Sequence, residues 1–261
     1  MRKWNTGLRI HSKVGRRLYK AWQQAIDAIQ PRQCRLCDQV TEGSVCAACY
    51  AELPHQQQSC AQCALSLTQH DLEEGAKPDK VGLICGECLA HPPSFVQALA
   101  PFRYQAPLIP LISRFKYQGA LSDGRLLGTW LGDYVQAQGD MVDLIIPVPL
   151  HASRLRQRGF NQSAELAHWV SRIVQVPWRA DVLRRVKVGS EQQGLSRTAR
   201  RRNMQGVFQV VKKPAVTTVA LVDDVMTTGT TVGAAAHCLR QAGVSRVVVW
   251  VVARTPKPGM R

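Results

Sequence analysis

Four Cys-x-x-Cys pairs between residues 34 and 88 constrain the fold of this part of the chain more than any other feature. Each pair places two thiolates on one side of a tight turn, and two such turns complete a tetrahedral site of four sulfurs. In a chain without a secretory signal, four pairs in series favour metal binding over disulfides. The sequence therefore predicts two zinc sites with these ligands: Cys34, Cys37, Cys46, Cys49, Cys60, Cys63, Cys85 and Cys88.

The pairing of these turns is open at the level of sequence. Sequential pairing would give two separate ribbons, whereas interleaved pairing would give one cross-braced module. All the predicted ligands are cysteines, which leaves no coordination position for water, so we expect structural rather than catalytic zinc. The segment has few large apolar side chains and needs the metal to fold. A ribbon that grips nucleic acid or a partner protein is the alternative role.

The composition indicates a folded protein with a preference for anionic partners. The 261 residues are 45% apolar, which is enough for one full α/β domain beside a smaller module. Lys and Arg total 34 against 18 Asp and Glu, and the net charge of +16 favours nucleic acid, phosphorylated metabolites or anionic lipid. No apolar run approaches the roughly 20 residues that span a bilayer. We therefore expect a cytoplasmic protein without stable membrane insertion.

Three segments follow one another along the predicted chain. Residues 1–31 are predicted to form a basic amphipathic helix, residues 32–92 a double zinc ribbon, and residues 93–261 an α/β domain. Helical and strand-like patterns alternate in the last segment, which favours a parallel sheet with helices on both faces. The predicted helices are 108–117, 125–136, 161–174 and 230–241, and the predicted strands are 144–148, 219–222 and 247–252.

An acidic pair and a threonine-rich turn follow the apolar strand 219–222. Asp223 and Asp224 come first, and the turn of Thr227, Thr228, Gly229, Thr230 and Thr231 then leads into a helix. In an open α/β sheet, ligands bind outside the carboxyl ends of the strands. The glycine permits a tight turn, and backbone N–H groups, hydroxyls and the helix dipole favour phosphate. The carboxylates suit neighbouring sugar hydroxyls or a hydrated divalent ion. A capped helix after an ordinary turn is the alternative.

This pattern resembles the site for 5-phosphoribosyl 1-pyrophosphate (PRPP) in type I phosphoribosyltransferases. Further motifs extend the resemblance to the ComF family, namely Phe115-Lys-Tyr-x-Gly119, Pro147-Val-Pro-Leu150, Arg154-Leu-Arg-Gln-Arg158-Gly-Phe-Asn-Gln162 and Gln193-Gly-Leu-Ser-Arg197 with Arg200 to Asn203. That family comprises competence or DNA-uptake proteins with a phosphoribosyltransferase-like domain and an N-terminal double zinc ribbon. The resemblance covers roughly residues 32–256.

The resemblance implies a PRPP site with magnesium, built from three segments. The acidic pair and the threonine turn would bind ribose and phosphate. The pyrophosphate loop would comprise Pro147, Val148, Pro149, Arg154 and Arg158. A flexible loop that closes over PRPP would contribute Gln193, Arg197, Arg200 and Asn203.

The expected function is that of a PRPP-binding phosphoribosyltransferase-like protein in DNA uptake, natural transformation or nucleotide metabolism. As an enzyme it would transfer phosphoribose to an acceptor that the sequence does not identify. The alternatives are a non-catalytic protein that handles single-stranded DNA and a PRPP sensor of the competence machinery. The expected partners are PRPP, single-stranded DNA and other competence proteins such as a helicase.

Overall fold

The computed structural model describes residues 32–68, 77–79, 82–187 and 206–257. The chain divides into two compact units between Glu52 and Leu53. The first unit contains the first group of four cysteines, and the second contains the other group together with the α/β domain. The predicted N-terminal helix lies outside the described residues.

Among the described residues, almost all of the regular structure belongs to the second unit. The strands are β1 (Lys77–Asp79), β2 (Gly82–Ile84), β3 (Gln97–Leu99), β4 (Phe102–Arg103), β5 (Leu144–Pro147), β6 (Leu183–Arg185), β7 (Phe208–Val210), β8 (Thr218–Met226) and β9 (Arg246–Arg254). The helices of the described residues are α1 (Ala47–Ala51), α2 (Gly86–Ala90), α3 (Leu108–Gln118), α4 (Leu121–Gln138), α5 (Ala152–Arg158), α6 (Gln162–Val174) and α7 (Thr230–Gln241). In the described part of the chain, no helix combines the length and the apolar character required to cross a membrane.

A five-stranded sheet forms the centre of the second unit and confirms the predicted parallel architecture. Four strands lie in the order β3-β9-β8-β5, and β4 pairs with the far end of β9. Every pairing in this sheet is parallel. Two antiparallel pairs, β1 with β2 and β6 with β7, lie outside it. All the carboxyl ends of the central strands therefore meet at one edge.

The core fills both faces of this sheet. Leu221 of β8 and Val249 of β9 pack in one cluster with Ala235 and Leu239 of α7. Since side chains alternate along a strand, Ala220 and Val248 point to the opposite face, and they are also fully buried. Strands that are covered on both sides read as continuous apolar runs, and this is why β8 and β9 were recognisable from sequence.

The two largest differences from the predicted element boundaries are of four residues each. Strand β8 continues to Met226 instead of ending at residue 222, because β9 continues beside it and pairs Met226 with Arg254. The acidic pair therefore lies within the strand. Helix α4 begins at Leu121 instead of residue 125, and its first turn contains Asp123, a fully buried residue that accepts a hydrogen bond of 2.9 Å from Arg114 Nε.

Three glycines let α4 approach its neighbours closely. Gly124, Gly128 and Gly132 are spaced four residues apart, so they lie along one face of the helix. A Cβ atom at Gly128 would lie 2.8 Å from the Cβ atom of Trp169 in α6. This contact cannot be relieved by rotating a side chain. The close approach therefore sets the position of α6, whose first turn reaches the acidic pair of β8.

We predict that Gly128→Ala lowers the free energy of unfolding by about 1–3 kcal/mol, because overpacking outweighs the gain in helix propensity. Gly233→Ala in α7 is the matched control. Nothing lies within 4 Å of a Cβ atom at that position, so the change should stabilise the chain by up to about 1 kcal/mol. Urea denaturation of both variants measures the difference. Equal or opposite effects would contradict the packing described.

Candidate functional site

Two groups of four cysteines have the geometry of metal sites. Each group joins two consecutive Cys-x-x-Cys pairs, so the pairing that the sequence left open is sequential. One comprises Cys34, Cys37, Cys46 and Cys49, and the other comprises Cys60, Cys63, Cys85 and Cys88. In each group all sulfurs lie within 4.8 Å of one another. The separations of 3.8 Å between Cys37 and Cys46 and between Cys63 and Cys85 match a tetrahedron of Zn–S bonds of about 2.3 Å.

Backbone N–H groups favour the thiolate form of two of these cysteines, Cys34 and Cys60. Cys46 N donates to Cys34 Sγ at 3.4 Å, and Cys85 N donates to Cys60 Sγ at 3.3 Å. Burial raises the pKa of Cys34, but backbone hydrogen bonds from Cys46, Leu36 and Cys37 outweigh this effect and lower the pKa to about 6. Four sulfur donors at this spacing fit zinc and complete its coordination. The sites are therefore structural.

A separate cavity of about 660 Å³ opens at the carboxyl edge of the central sheet. Segments from β5, β8, α3, α5, α6 and the start of α7 enclose it. Its lining residues are Tyr104, Lys116, Tyr117, Gly119, Val148, Pro149, Leu150, Arg154, Gln157, Arg158, Gln162, Ser163, Arg185, Asp223, Asp224, Val225, Thr227 and Thr231.

Asp223 joins β8 to the first turn of α6. Its Oδ1 atom accepts hydrogen bonds from Ser163 Oγ at 2.8 Å and from the backbone N–H of Asp224 at 2.9 Å. Burial and the neighbouring charge of Asp224 raise the pKa of Asp223 to about 7, although the hydrogen bond from Ser163 and the charge of Lys116 oppose this shift. The Asp223 carboxyl group therefore changes its charge near neutral pH.

Asp224 forms an ion pair with Lys116 at the end of α3. Lys116 Nζ lies 2.9 Å from Asp224 Oδ1, and the Asp224 residue is only 3% exposed. Burial lowers the pKa of Lys116, but the charge of Asp224 and the hydrogen bond to it outweigh that effect, so the pKa is raised. The other oxygen, Asp224 Oδ2, is buried and accepts no hydrogen bond from the described residues. Asp224 lines the cavity, and a ligand that donates to this oxygen would satisfy it.

The threonine-rich turn begins directly after β8. Gly229 has φ 76° and is the N-cap of α7, and no side chain caps this helix. Only glycine adopts this left-handed conformation without strain. Thr228 Oγ1 and Thr230 Oγ1 are hydrogen-bonded at 2.8 Å, which keeps both hydroxyls beside the uncapped helix terminus. Thr230 N donates to Thr228 Oγ1 at a long 3.4 Å. The N–H groups of the first turn of α7, which have no intrahelical acceptor, and these hydroxyls form an environment suited to phosphate.

Two arginines from α5 line the cavity. The helix follows β5 and begins after His151, whose side chain accepts a hydrogen bond from the backbone N–H of Ser153. Arg154 and Arg158 lie one turn apart and therefore share a face of α5. Arg158 Nη1 donates to Gln162 Oε1 at 2.6 Å, and its guanidinium carbon lies 5.4 Å from the centre of the Tyr117 ring. These contacts hold a positive charge at the cavity wall.

The structure brings together many of the predicted PRPP-site residues. Eight of them line the cavity, namely Val148, Pro149, Arg154, Arg158, Asp223, Asp224, Thr227 and Thr231. Thr228, Gly229 and Thr230 complete the adjoining turn, and Pro147 ends β5. The flexible-loop residues Gln193, Arg197, Arg200 and Asn203 lie outside the described residues.

Sequence reasoning did not assign Ser163 to the site, and it left Lys116 open between a contact with the ligand and an ordinary solvated position. Lys116 belongs to the motif Phe115-Lys-Tyr-x-Gly119. The motif indicates the family but does not indicate what the lysine contacts. Ser163 lies in the first turn of an amphipathic helix, where serine is common for reasons of capping alone. Its contact with Asp223 spans sixty residues of sequence, and no local pattern reports such a contact.

Comparison with protein families divides the chain in the same way as its motifs. The family described as the double zinc ribbon domain matches residues 25–89. The phosphoribosyl transferase domain family matches residues 161–261. The first match includes both groups of four cysteines, and the second includes α6, the acidic pair and the threonine-rich turn.

Curated relatives carry names from competence and DNA utilization. Competence protein F of Haemophilus influenzae is 36% identical over 178 residues, which are 65% of this chain and 78% of the relative. DNA utilization protein YhgH of Escherichia coli K12 is 31% identical over 229 residues, which are 85% of this chain and 95% of the relative. Competence protein ComFC of Bacillus subtilis is 25% identical over 224 residues, which are 80% of this chain and 89% of the relative.

The two cysteine groups should hold two zinc ions per chain, and their losses should differ in effect. We predict that Cys60→Ser lowers the main thermal transition, because the second group lies in the larger unit and its neighbour Ala64 belongs to the core of that unit. The matched variant Cys34→Ser should lose the same amount of zinc with little change in that transition. Metal analysis and calorimetry test both statements. Fewer than two zinc ions in the wild type would contradict the assignment.

Proposed function

Because the chain belongs to the ComF family of competence and DNA-utilization proteins, we propose that it binds PRPP with magnesium in the cavity at the carboxyl edge of the central sheet. The observation that carries this proposal is the position of the Asp223 and Asp224 carboxylates beside an uncapped helix terminus, with Arg154 and Arg158 on another wall of the same cavity. These groups suit the ribose, the 5-phosphate and the pyrophosphate of one ligand.

The ribose fits the acidic pair. Its two neighbouring hydroxyls would donate hydrogen bonds to Asp223 and Asp224. The buried Asp224 Oδ2 accepts no hydrogen bond from the described residues and would thereby gain a donor. The same carboxylates would hold magnesium, which prefers oxygen ligands and keeps several waters. When bound, magnesium would neutralise part of the pyrophosphate charge.

The phosphates fit the two positive ends of the cavity. The 5-phosphate would accept hydrogen bonds from the N–H groups at the start of α7 and from the hydroxyls of Thr227 and Thr231. The pyrophosphate would lie against Arg154 and Arg158, whose guanidinium groups can each donate two hydrogen bonds to one anion. Since PRPP carries several charged phosphate groups and does not cross a bilayer unaided, we infer that the protein acts in the cytoplasm.

Phosphoribosyl transfer is the reaction that this arrangement supports. The bond between C1 of the ribose and the pyrophosphate oxygen breaks, the electron pair leaves with pyrophosphate, and a nucleophile of the acceptor forms the new bond at C1. Arg154 and Arg158 would stabilise the charge that grows on the leaving group. Tyr104 and Tyr117 also line the cavity and offer aromatic surface to a planar acceptor. Release of pyrophosphate in the presence of candidate acceptors tests this step.

A second candidate is a protein that handles single-stranded DNA and uses PRPP as a regulatory ligand. Its support is the names of the relatives, which refer to competence and DNA utilization, and the net charge of +16. Positive charge of this size favours phosphate contacts and makes binding sensitive to salt. PRPP binding without pyrophosphate release for any acceptor, together with salt-dependent DNA binding, would favour this candidate over the enzyme.

Asp224→Asn should weaken PRPP binding in magnesium by at least about tenfold, since hydrogen bonds to charged groups contribute about 1.5–3 kcal/mol. The matched control is Asp181→Asn. Asp181 pairs with Arg179 and Lys212 on the surface and does not line the cavity, so this variant should bind PRPP normally. Isothermal titration calorimetry measures both affinities. Wild-type affinity in Asp224→Asn would refute the assignment of the acidic pair.

The raised pKa of Asp223 predicts opposite pH trends for binding and for stability. Ribose hydroxyls and magnesium need the ionised carboxylate, so PRPP affinity should rise with pH through a midpoint near 7 and level off about one pH unit higher. In the unfolded chain Asp ionises near pH 4. The free energy of unfolding of the ligand-free protein should therefore fall as the pH rises from about 4 to about 7. Ser163→Ala removes a hydrogen bond that lowers this pKa.

The Ser163→Ala variant should therefore move the midpoint of both pH curves to higher pH. Titrations of PRPP and thermal scans across pH 5 to 9 give the two midpoints. The 5-phosphate of PRPP also titrates in this range, but its contribution is common to both proteins and cancels in the comparison. Identical midpoints in wild type and Ser163→Ala would show that Asp223 does not govern binding.

A further inference from the structure

One buried side chain, Arg254, contacts both the second cysteine group and the threonine-rich turn. Arg254 is the last residue of β9 and is 3% exposed. Its backbone pairs with Met226, the last residue of β8. The side chain therefore starts at the edge of the sheet where β8 passes into the turn of Thr227 to Thr231.

The guanidinium group of Arg254 donates to carbonyl oxygens on both sides. Its Nε atom donates to the carbonyl of Cys63 at 3.0 Å. Its Nη1 atom donates to the carbonyls of Met226 at 3.0 Å and of Thr227. Because the guanidinium is planar and rigid, its donors keep a fixed spacing. The position of the Cys63 carbonyl is thereby linked to the position of the first peptide groups of the turn.

The Cys63 carbonyl is positioned by the Cys-x-x-Cys turn that contains it. This turn is closed by hydrogen bonds of 2.8 Å from Ala64 N to the Cys60 carbonyl and from Cys60 N to the Leu65 carbonyl. Ala64 has φ 53°, and its side chain packs in the main core of the unit. Zinc would tie Cys60 and Cys63 to Cys85 and Cys88, and without the metal these four thiols lose their common attachment.

We propose that Arg254 is a positioning residue through which zinc at the second cysteine group, and not at the first, sets the geometry of the PRPP-binding turn. The inference rests on the proposed function, since it assumes that PRPP binds at this turn. If the Cys63 carbonyl moved, a buried Nε–H would lose its acceptor, and the guanidinium would shift to find another. That shift would release the Thr227 carbonyl and misalign the N–H groups that follow it.

Coupling of this kind is reciprocal, so PRPP must raise the affinity of the second cysteine group for zinc by the same factor by which zinc raises the affinity for PRPP. The experiment is an equilibrium competition for zinc against a chelator that does not bind magnesium, with and without PRPP and magnesium. In the wild type we expect PRPP to strengthen one of the two zinc sites about tenfold and to leave the other unchanged.

Two cysteine variants assign the effect to a site. In Cys34→Ser the remaining zinc should still respond to PRPP, and in Cys60→Ser it should not. Arg254→Met keeps an unbranched side chain but removes its donors, so both zinc ions should bind and neither should respond, while PRPP affinity falls about tenfold. Wild-type behaviour of Arg254→Met, or a response confined to the first cysteine group, would overturn the proposal.

A measurement without PRPP separates this inference from the proposed function. Hydrogen exchange at the amides of Gly233 and Thr255, which donate to the carbonyls of Gly229 and Met226, should become faster in Cys60→Ser than in Cys34→Ser, while the amides of β5 remain protected in both. If PRPP binds the wild type but affects neither zinc site, the coupling is wrong and the proposed function stands. If PRPP does not bind, the proposed function fails, and equal exchange in the two variants would then also reject the positioning role of Arg254.

Discussion

The parallel pairing of β8 with β9 continues beyond the apolar part of β8, and the rest of the site depends on this extension. It carries the backbone through Asp223 and Asp224 to the pair of Met226 and Arg254. The carboxylates are therefore attached to a strand in the centre of the sheet rather than to a loop. A site on a rigid element keeps its geometry better than one on a connection. The threonine-rich turn starts from the same fixed edge.

Placing two partly or fully buried carboxylates side by side is unfavourable for the ligand-free protein. Lys116 offsets the charge of Asp224 at 2.9 Å, and Ser163 donates to Asp223 at 2.8 Å. Even so, burial raises the pKa of Asp223 to about 7. An unfavourable arrangement of charged groups that a ligand relieves is a common feature of functional sites. Sugar hydroxyls and a divalent cation would supply hydrogen-bond donors and positive charge to the two carboxylates.

The main parts of the fold could be read from the sequence because they have short-range signals. The Cys-x-x-Cys pairs, the continuous apolar runs of β8 and β9, and the threonine-rich turn each lie within a few residues. The five-stranded parallel sheet and the two zinc-type sites agree with these signals. The contacts that complete the site are long-range. The ion pair of Lys116 with Asp224 and the bond from Arg254 to Cys63 join segments that only the folded chain brings together.

Long-range packing also explains why the two zinc sites belong to different compact units although their sequence motifs are alike. The second cysteine group lies in the same compact unit as the sheet, and Ala64 beside it packs in that core. A motif defines the ligands of a metal but not the surface on which the turn packs. The position of each ribbon therefore has to come from the structure.

Equilibrium binding to the wild-type protein is the most direct test of the proposed PRPP site in the cavity. Calorimetric titration with PRPP at pH 8, with and without magnesium, should show one PRPP per chain and tighter binding when magnesium is present. Ribose 5-phosphate should not bind comparably, because it lacks the pyrophosphate that would face Arg154 and Arg158. Absence of saturable PRPP binding in magnesium, from a protein that carries both zinc ions, would contradict the account.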